Sequence, residues 1–370
     1  MSDTIATSSM PAENRVTGAS LSSAVLTSRR WVSILASLAC ASLVVILASL
    51  RFGTEPISFD QAARIVWRFL HEGSSIVGGD DARAIILIHV RLPRVLLAFM
   101  VGGCLAAVGA GLRALLRNPM ADPYVLGISS GAALGAALAM LLGIGTTVLA
   151  ISSLPLFAFI GGLLSIGIVY RVASSSGQLP IHTLLLVGVV MNAIFSALIM
   201  FITSIMDPNR SFAMMSWLMG TLLAPDYWSL GTLGVYIGVG IAVLASQSRA
   251  LNVLTLGSET AHSLGVEVER LKKVIFVASA LLTGAVVSVS GLIGFVGMIM
   301  PHAVRLFVGP DHRLLIPASF LVGGMFLTMA DALARTLLTP SEIPVGVVTA
   351  LAGGPIFLYL LTRRKGDIGM

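Results

Sequence analysis

Asp331 and Arg335 are the ionisable residues of this chain whose spacing most readily supports chemistry. They lie four residues apart within an apolar segment, which places them on one face of a helix. A carboxylate beside a cation in such a segment can relay protons, because ionisable groups in apolar surroundings are costly and usually functional. The same spacing also fits a local ion pair that lowers the desolvation cost of both charges, and we favour this structural interpretation.

Two further groups offer possible metal ligands. His302 lies in an apolar segment and could bind a metal, although a polar anchor near a helix end is the simpler explanation. Met214, Met215 and Met219 present thioether sulfurs at close spacing. Methionines more often fill irregular gaps between helices, so we interpret them as flexible packing of a short helix outside the apolar segments.

Motifs for nucleotide binding and for catalysis are missing. The sequence has no G-x-x-x-x-G-K-[ST] loop to hold a nucleotide phosphate, and no H-E-x-x-H, C-x-x-C or recognisable Ser-His-Asp arrangement. Both cysteines, Cys40 and Cys104, fall within apolar segments, where we interpret them as small apolar residues. We therefore predict that the chain is not an enzyme and binds no metal or cofactor of its own.

The composition determines where these residues must lie. Of the 370 residues, 56% are hydrophobic and only 11% are charged, and the mean hydropathy is +0.96. Soluble domains carry about 25% charged residues, so the sequence predicts an all-α integral membrane protein. The net charge of +6 could suggest a nucleic-acid partner. However, the basic residues lie between apolar segments, so we predict that they set membrane topology and bind no nucleic acid.

Apolar segments of helical length predict ten spans within a single transmembrane domain, residues 29–366. Residues 1–28 are rich in Ser, Thr and Ala and predict a disordered tail. We interpret the run after Arg29 and Arg30 as an uncleaved first span rather than as a cleaved signal. The predicted spans are 31–50, 92–116, 126–145, 154–172, 181–206, 228–247, 274–291, 292–309, 314–338 and 343–362.

The connections between spans carry their own signals. Residues 51–91 form a long polar connection, in which Ser58-x-x-Gln61 predicts a capping box that begins a short helix. Glycines at 291, 294 and 297 indicate either a tight turn or a break between the seventh and eighth spans. With the N-terminus inside, more basic residues face inward than outward, so we predict that both termini are cytoplasmic and that the 51–91 connection is outside.

Residues 247–273 form the long polar segment on the predicted inner side. Leu256, Ala261 and Leu264 could give a short helix an apolar side, with Gly257 and Gly265 at its two ends. An apolar patch among charged residues fits docking to a soluble partner, and it fits an amphipathic helix on the membrane surface equally well.

From residue 30 onward, the chain resembles the permease subunits of ABC importers for iron chelates, haem and vitamin B12, which are type II importers. The resemblance rests on RLPRVLLAFMVGGCLAAVGAGLRALLRNPMADPYVLGISSGAALG, LTLGSETAHSLGV, GLIGFVGMIMPHAVRLFVGPDHRLLIP and IPVGVVTALAGGPIFLYLL. It implies an inverted repeat that relates spans two to five to spans seven to ten. It also implies a homodimer in a bacterial inner membrane, two cytoplasmic ATPase subunits that bind ATP and Mg, and one periplasmic substrate-binding protein.

The same resemblance assigns roles to individual residues. Arginines that receive glutamates of the binding protein correspond to Arg91, Arg94 and Arg335. Residues that seat on the ATPase correspond to Leu256, Gly257, Ala261, Leu264 and Gly265. Residues that narrow the inner mouth of the pathway correspond to Asn118, Met120, Ile181 and His182.

At the last two gate positions the chain departs from the family pattern, because the vitamin B12 permease has small hydroxylated residues there. His182 could contact a haem iron, although a histidine at a helix start is the simpler interpretation. For the cargo we favour haem, with ferric siderophores and cobalamin as alternatives. The alternative from another class is an ion-coupled secondary transporter or channel.

Overall fold

The computed structural model describes residues 28–53, 58–72, 82–118, 121–144, 147–148, 151–174 and 178–366, and these residues are almost entirely helical. One two-stranded antiparallel hairpin pairs β1 (Thr147–Val148) with β2 (Ile151–Ser152). A π-helical segment, Ile86–Arg91, and a 3₁₀ helix, Pro123–Leu126, complete the regular structure. The α-helices are α1 (Ser28–Ser49), α2 (Phe59–Glu72), α3 (Ala82–Ile85), α4 (Leu92–Leu116), α5 (Ile128–Leu141), α6 (Ser153–Ala173), α7 (Ile181–Ile205), α8 (Pro208–Leu218), α9 (Tyr227–Ser246), α10 (Ser248–Leu254), α11 (Ser258–Ser263), α12 (Val268–Ser290), α13 (Val296–Val308), α14 (His312–Ala334) and α15 (Val345–Gly366).

The predicted all-α membrane fold is confirmed. Within the described residues, seven helices are long and apolar enough to cross a membrane, and three shorter apolar helices accompany them. Each predicted span coincides with one of these ten helices to within a few residues at most ends. The number of helices that cross the bilayer and the inverted repeat stay predictions. The predicted N-terminal tail lies outside the described residues, apart from Ser28.

The start of the second span is the main error in the predicted boundaries. A continuous helical run, Ala82–Leu116, begins ten residues before the predicted boundary and absorbs the end of the 51–91 connection. The prediction began the span at residue 92, with Arg91 and Arg94 at its edge, because charges usually mark the edge of the bilayer. Here both arginines lie inside the helix, since partners elsewhere in the fold compensate their charges.

The predicted capping box at the start of α2 is confirmed. The Ser58 hydroxyl accepts a hydrogen bond from the Gln61 amide, and the Gln61 side chain accepts one from the Ser58 amide, each at 3.3 Å. These reciprocal bonds satisfy donors at the start of the helix that have no partner within it. On α2, Ala62 is buried against Leu50 and Leu87, so α2 packs on the ends of two apolar helices.

Glycines allow α4 and α14 to pack in contact along their length. A Cβ atom on Gly102 would collide with the main-chain oxygen of Gly323, and one on Gly103 would lie 2.7 Å from that of Phe320. Helices in a membrane gain little from the hydrophobic effect between them, so close van der Waals packing at small residues drives their association. The α4–α14 pair is therefore one closely packed unit of the helical bundle.

The pair α5 and α6 uses the same device. Gly131 and Gly135, four residues apart on α5, contact α6 where Gly161 and Ser165 approach the backbone of α5. In contrast, Gly127 lies in the turn before α5 with a φ of 81°. The two glycine contacts hold α5 and α6 as a second closely packed unit.

Five residues, 291–295, join α12 to α13 in a short turn, and Gly297 already lies within α13. Gly291 has a φ of 65° and Phe295 a φ of 70°, both in the left-handed region, and α13 begins at the next residue. Another tight turn follows α4, where Arg117 has a φ of 47°. In that turn the Asp122 carboxylate accepts a hydrogen bond from the Tyr124 amide at 2.9 Å and begins the 3₁₀ helix.

Candidate docking, coupling and gating sites

Two of the three predicted docking arginines, Arg94 and Arg335, share one buried carboxylate. Asp331 on α14 is fully buried and pairs with Arg335 at 2.9 Å, one helical turn away. It also pairs with Arg94 on α4 at 3.0 Å. Arg94 reaches a second carboxylate, that of Glu342, at 2.8 Å. The favoured interpretation of the 331–335 spacing as an ion pair is thus confirmed, and the pair extends to a four-residue cluster.

Main-chain carbonyls complete the compensation of the arginine charges. Arg335 donates to the Phe52 carbonyl at 2.9 Å, and Arg91 donates to the Leu50 carbonyl at 3.1 Å. Both arginines expose only 4% of their surface. They therefore anchor the chain after α1 to α4 and α14. Their predicted contact with a binding protein stays a prediction.

At the opposite end of the bundle, the 247–273 segment folds into α10, α11 and the first turn of α12. Gly257 (φ 137°) and Gly265 (φ 81°) flank α11, as the sequence predicts. Leu256 and Leu264 expose 68% and 63% of their surface, whereas Ala261 is fully buried in the core. The prediction that these three share one apolar side is therefore wrong, because Ala261 faces inward and the leucines lie in the flanking turns.

Side-chain hydrogen bonds join this segment to α14. The Asn252 side-chain amide donates to Asp311 at 2.7 Å, and its oxygen accepts from the His312 amide at 2.9 Å. A hydrogen bond from Arg313 is the main cause that lowers the pKa of Asp311 to about 2. Because the charged carboxylate also begins α14, the two helices are fixed to each other at this point.

A second contact joins the segment to the turn after α4. Arg117 donates to the Ser258 hydroxyl at 2.7 Å, which links this turn to the first residue of α11. Asn118, the next residue, is one of the predicted gate residues and is partly buried. Met120 lies outside the described residues. Asp122 is buried in the same turn, and burial raises its pKa to about 6.

A third contact joins the segment to the chain before α7. Glu269 accepts a hydrogen bond from the Leu179 amide at 2.9 Å, and Lys272 pairs with Glu269 at 2.6 Å. Lys272 also donates to the Leu179 carbonyl at 3.4 Å. This site was not predicted from the sequence. Its only sequence signal is the three-residue spacing of Glu269 and Lys272, which identifies the pair but not the main-chain group that it holds.

The other predicted gate residues begin α7. Ile181 is partly buried and His182 is exposed, directly after Pro180 at the helix start. Met214, by contrast, is fully buried on α8 beside Trp217, which agrees with the packing interpretation for this methionine, whereas Met215 and Met219 are exposed. Within the part of the chain that the structure describes, no group of three or more His, Cys, Asp or Glu side chains could hold a metal ion.

Residues predicted to share one side of the membrane gather at one end of the bundle, and the assignment of either end to the cytoplasm stays a prediction. Arg91, Arg94 and Arg335, all predicted outside, meet at one end. Residues predicted inside meet at the other, where Trp31 donates to the Arg313 carbonyl at 3.4 Å. The sequence profile of the FecCD transport family matches residues 41–363. The chain belongs to the FecCD transport family.

Curated relatives of this FecCD family member are permeases of import systems. It is 45% identical over 289 residues to the cobalamin import system permease protein of Halobacterium salinarum, and the alignment covers 78% of this chain and 76% of the relative. It is 41% identical over 327 residues to the hemin transport system permease protein of Yersinia pestis, and the alignment covers 87% of this chain and 94% of the relative. The iron(3+)-hydroxamate import system permease protein of Bacillus subtilis is 34% identical over 291 residues, covering 78% and 86%.

A solved structure supports the same assignment. A metal-chelate-type ABC transporter in an inward-facing conformation superimposes with a TM-score of 0.76 at 30% identity, covering 90% of this chain and 99% of the other. The FecCD family member is therefore the multi-pass membrane permease of a type II ABC importer, a class that works with ATPase and binding-protein partners.

Proposed function

We propose that two copies of this chain form the transmembrane pathway of a bacterial inner-membrane importer with cytoplasmic termini. Two cytoplasmic ATPase subunits supply ATP and Mg²⁺, and a periplasmic binding protein delivers the cargo. The observation that carries the proposal is the pair of exposed leucines, Leu256 and Leu264, on either side of α11. Exposed leucines among charged residues favour an apolar contact with a partner, and the family match identifies an ATPase as the partner class.

Co-purification tests the ATPase contact. Replacing Leu256 and Leu264 by Asp should remove the ATPase from the purified complex, because a charged side chain cannot enter an apolar contact without losing its hydration. Leu223→Asp is the matched control, since Leu223 is also an exposed leucine outside any helix but lies at the other, predicted outer end of the bundle. Wild-type yields of ATPase with the 256/264 variant would contradict the proposal.

Arg91, Arg94 and Arg335 dock the binding protein in this proposal. Reversing the charge of Arg91 or of Arg335 would test folding as much as docking, because both side chains are buried. Glu342→Gln is a cleaner change. The Glu342 carboxylate pairs with Arg94, so it competes with any partner carboxylate for that arginine.

If Arg94 receives a partner carboxylate, Glu342→Gln should strengthen binding of the binding protein severalfold. Asp60→Asn is the control, since Asp60 pairs with Arg64 on the predicted outer connection without touching the arginine cluster. Weaker binding by Glu342→Gln, or an equal change in both variants, would contradict docking at Arg94.

Haem is the proposed cargo. The hemin permease supports this choice because the similarity extends over 94% of its length. Cobalamin is the second candidate, since its permease has a higher identity, 45%, over a smaller share of its own chain, 76%. The absorption spectrum of the ligand on the co-purified binding protein separates them, because a Soret band indicates haem and corrin bands indicate cobalamin.

An ion-coupled secondary transporter is the rival function. It would need an ionisable group available for proton exchange, and the best candidate, Asp331, is fully buried between two arginines. Uptake driven by a proton gradient in vesicles that contain this chain alone would support the rival and contradict ATP-driven import.

A further inference from the structure

The Glu269–Lys272 pair holds both main-chain polar groups of one residue, Leu179. Glu269 accepts from its amide at 2.9 Å, and Lys272 lies 3.4 Å from its carbonyl. The two charged side chains are themselves 2.6 Å apart. Leu179 is almost fully buried. We use the name Leu179 clamp for these three residues.

The clamp spans two parts of the fold that are distant in sequence. Glu269 and Lys272 lie in the first turn of α12, which follows α11 after a short turn at Gly265. Leu179 directly precedes Pro180, at which α7 begins. The clamp therefore connects the end of the proposed ATPase-docking segment to the first residues of a predicted gate, Ile181 and His182.

Two other contacts fix the same segment to the rest of the bundle, so a movement of the segment can pass through the clamp to α7. Asn252 fixes α10 to the start of α14, and Arg117 fixes the start of α11 to the turn after α4. These two contacts belong to the α4–α14 unit, whereas α7 packs on α5 and α6. Between these units, the clamp joins the segment to the start of α7 by charge-assisted hydrogen bonds, which are stronger than hydrogen bonds between neutral groups.

We propose that Glu269 and Lys272 are positioning residues, which make the start of α7 follow the docking segment when the ATPases close. The inference rests on the proposed function, since it requires ATPase docking at α11. It assigns the transmission of movement to side chains that touch neither the cargo nor the exposed leucines. A contiguous set of contacts of this kind is the physical requirement for coupling between two sites.

The test compares Glu269→Ala with Glu267→Ala in liposomes that contain the complete complex. Glu267 is the matched control because it lies two residues earlier and pairs with Arg270 at 3.5 Å on an exposed surface. Two quantities are measured. The first is the cargo transported per ATP hydrolysed. The second is the ATP-dependent reaction of a maleimide label with the cysteine introduced by His182→Cys. Cys40 is replaced by Ser in all variants because it is exposed, and Cys104 stays because it is buried.

We expect Glu269→Ala to keep the ATPase bound and hydrolysis intact while cargo per ATP falls about tenfold, the effect of losing one charge-assisted hydrogen bond. The ATP-dependent change in label reactivity should disappear as well. Glu269→Gln keeps an acceptor for the Leu179 amide and should restore part of both signals, and it replaces the Ala variant if the latter fails to fold. Glu267→Ala should behave like wild type.

Equal coupling in Glu269→Ala and Glu267→Ala would overturn the inference, as would loss of the ATPase from the Glu269→Ala complex, which would indicate a docking role. Failure of the proposed function gives a different result. In that case the wild-type chain itself would retain no ATPase and would show no ATP-dependent change at position 182.

Discussion

Replacing Asp331 by Ala removes the buried carboxylate that Arg94 and Arg335 share. Breaking a buried ion pair by removing one partner costs about 3–5 kcal/mol of unfolding free energy, because a charge stays buried without compensation. Here Arg94 keeps Glu342, and Arg335 keeps the Phe52 carbonyl. The loss of unfolding free energy should therefore lie near the lower end of this range, at about 3 kcal/mol.

The assay is reversible unfolding in detergent, with Asp60→Ala as the control. Asp60 and Arg64 form an exposed ion pair with the same four-residue spacing, and such pairs contribute at most about 1 kcal/mol. A loss for Asp331→Ala as small as that of the control would refute the reasoning. Replacing Arg94, Asp331 and Arg335 together by apolar residues of similar size should recover most of the loss, since no uncompensated charge of this cluster then stays buried.

Two further predictions concern packing and pH. Gly102→Ala should lower the unfolding free energy by about 1–3 kcal/mol, because its Cβ would collide with Gly323. The control is Gly238→Ala on α9, which should be neutral or slightly stabilising because a Cβ there meets nothing within 4 Å. Equal effects of the two changes would contradict the α4–α14 contact. Burial raises the pKa of Asp122 from 3.8 to about 6, so the folded state binds the proton more tightly than the unfolded state. The wild type should therefore gain stability relative to Asp122→Asn as the pH falls from about 7 to about 4, by up to about 3 kcal/mol, and a pH-independent difference in thermal unfolding between the two would contradict this burial.

The positions of the helices could be read from the sequence because they follow from local properties. Apolar length determines the spans, and the Ser58–Gln61 box begins α2 where predicted. The Asp331–Arg335 pair was also predictable, since four-residue spacing on a helix brings side chains together regardless of the rest of the fold.

Features that depend on tertiary partners could not be predicted. Arg94 joins Asp331 from 237 residues away, and Arg91 donates to the Leu50 carbonyl, so no local pattern indicated that the helix extends back through Arg91. Similarly, α11 has only six residues, so Leu256 and Leu264 fall outside it, and a periodic pattern cannot reveal where so short a helix begins and stops. The Leu179 clamp uses main-chain groups, which every residue type offers, so residue identity carried little information about it.

ATP-dependent uptake in reconstituted liposomes tests the central claim most directly. The chain is reconstituted with its ATPase and binding protein, and haem uptake is measured with and without ATP on the side of α11, against liposomes that contain the chain alone. The account predicts uphill uptake only with the ATPase and ATP present. Uphill uptake by the chain alone, or uptake by the complete system that does not depend on ATP, would contradict it.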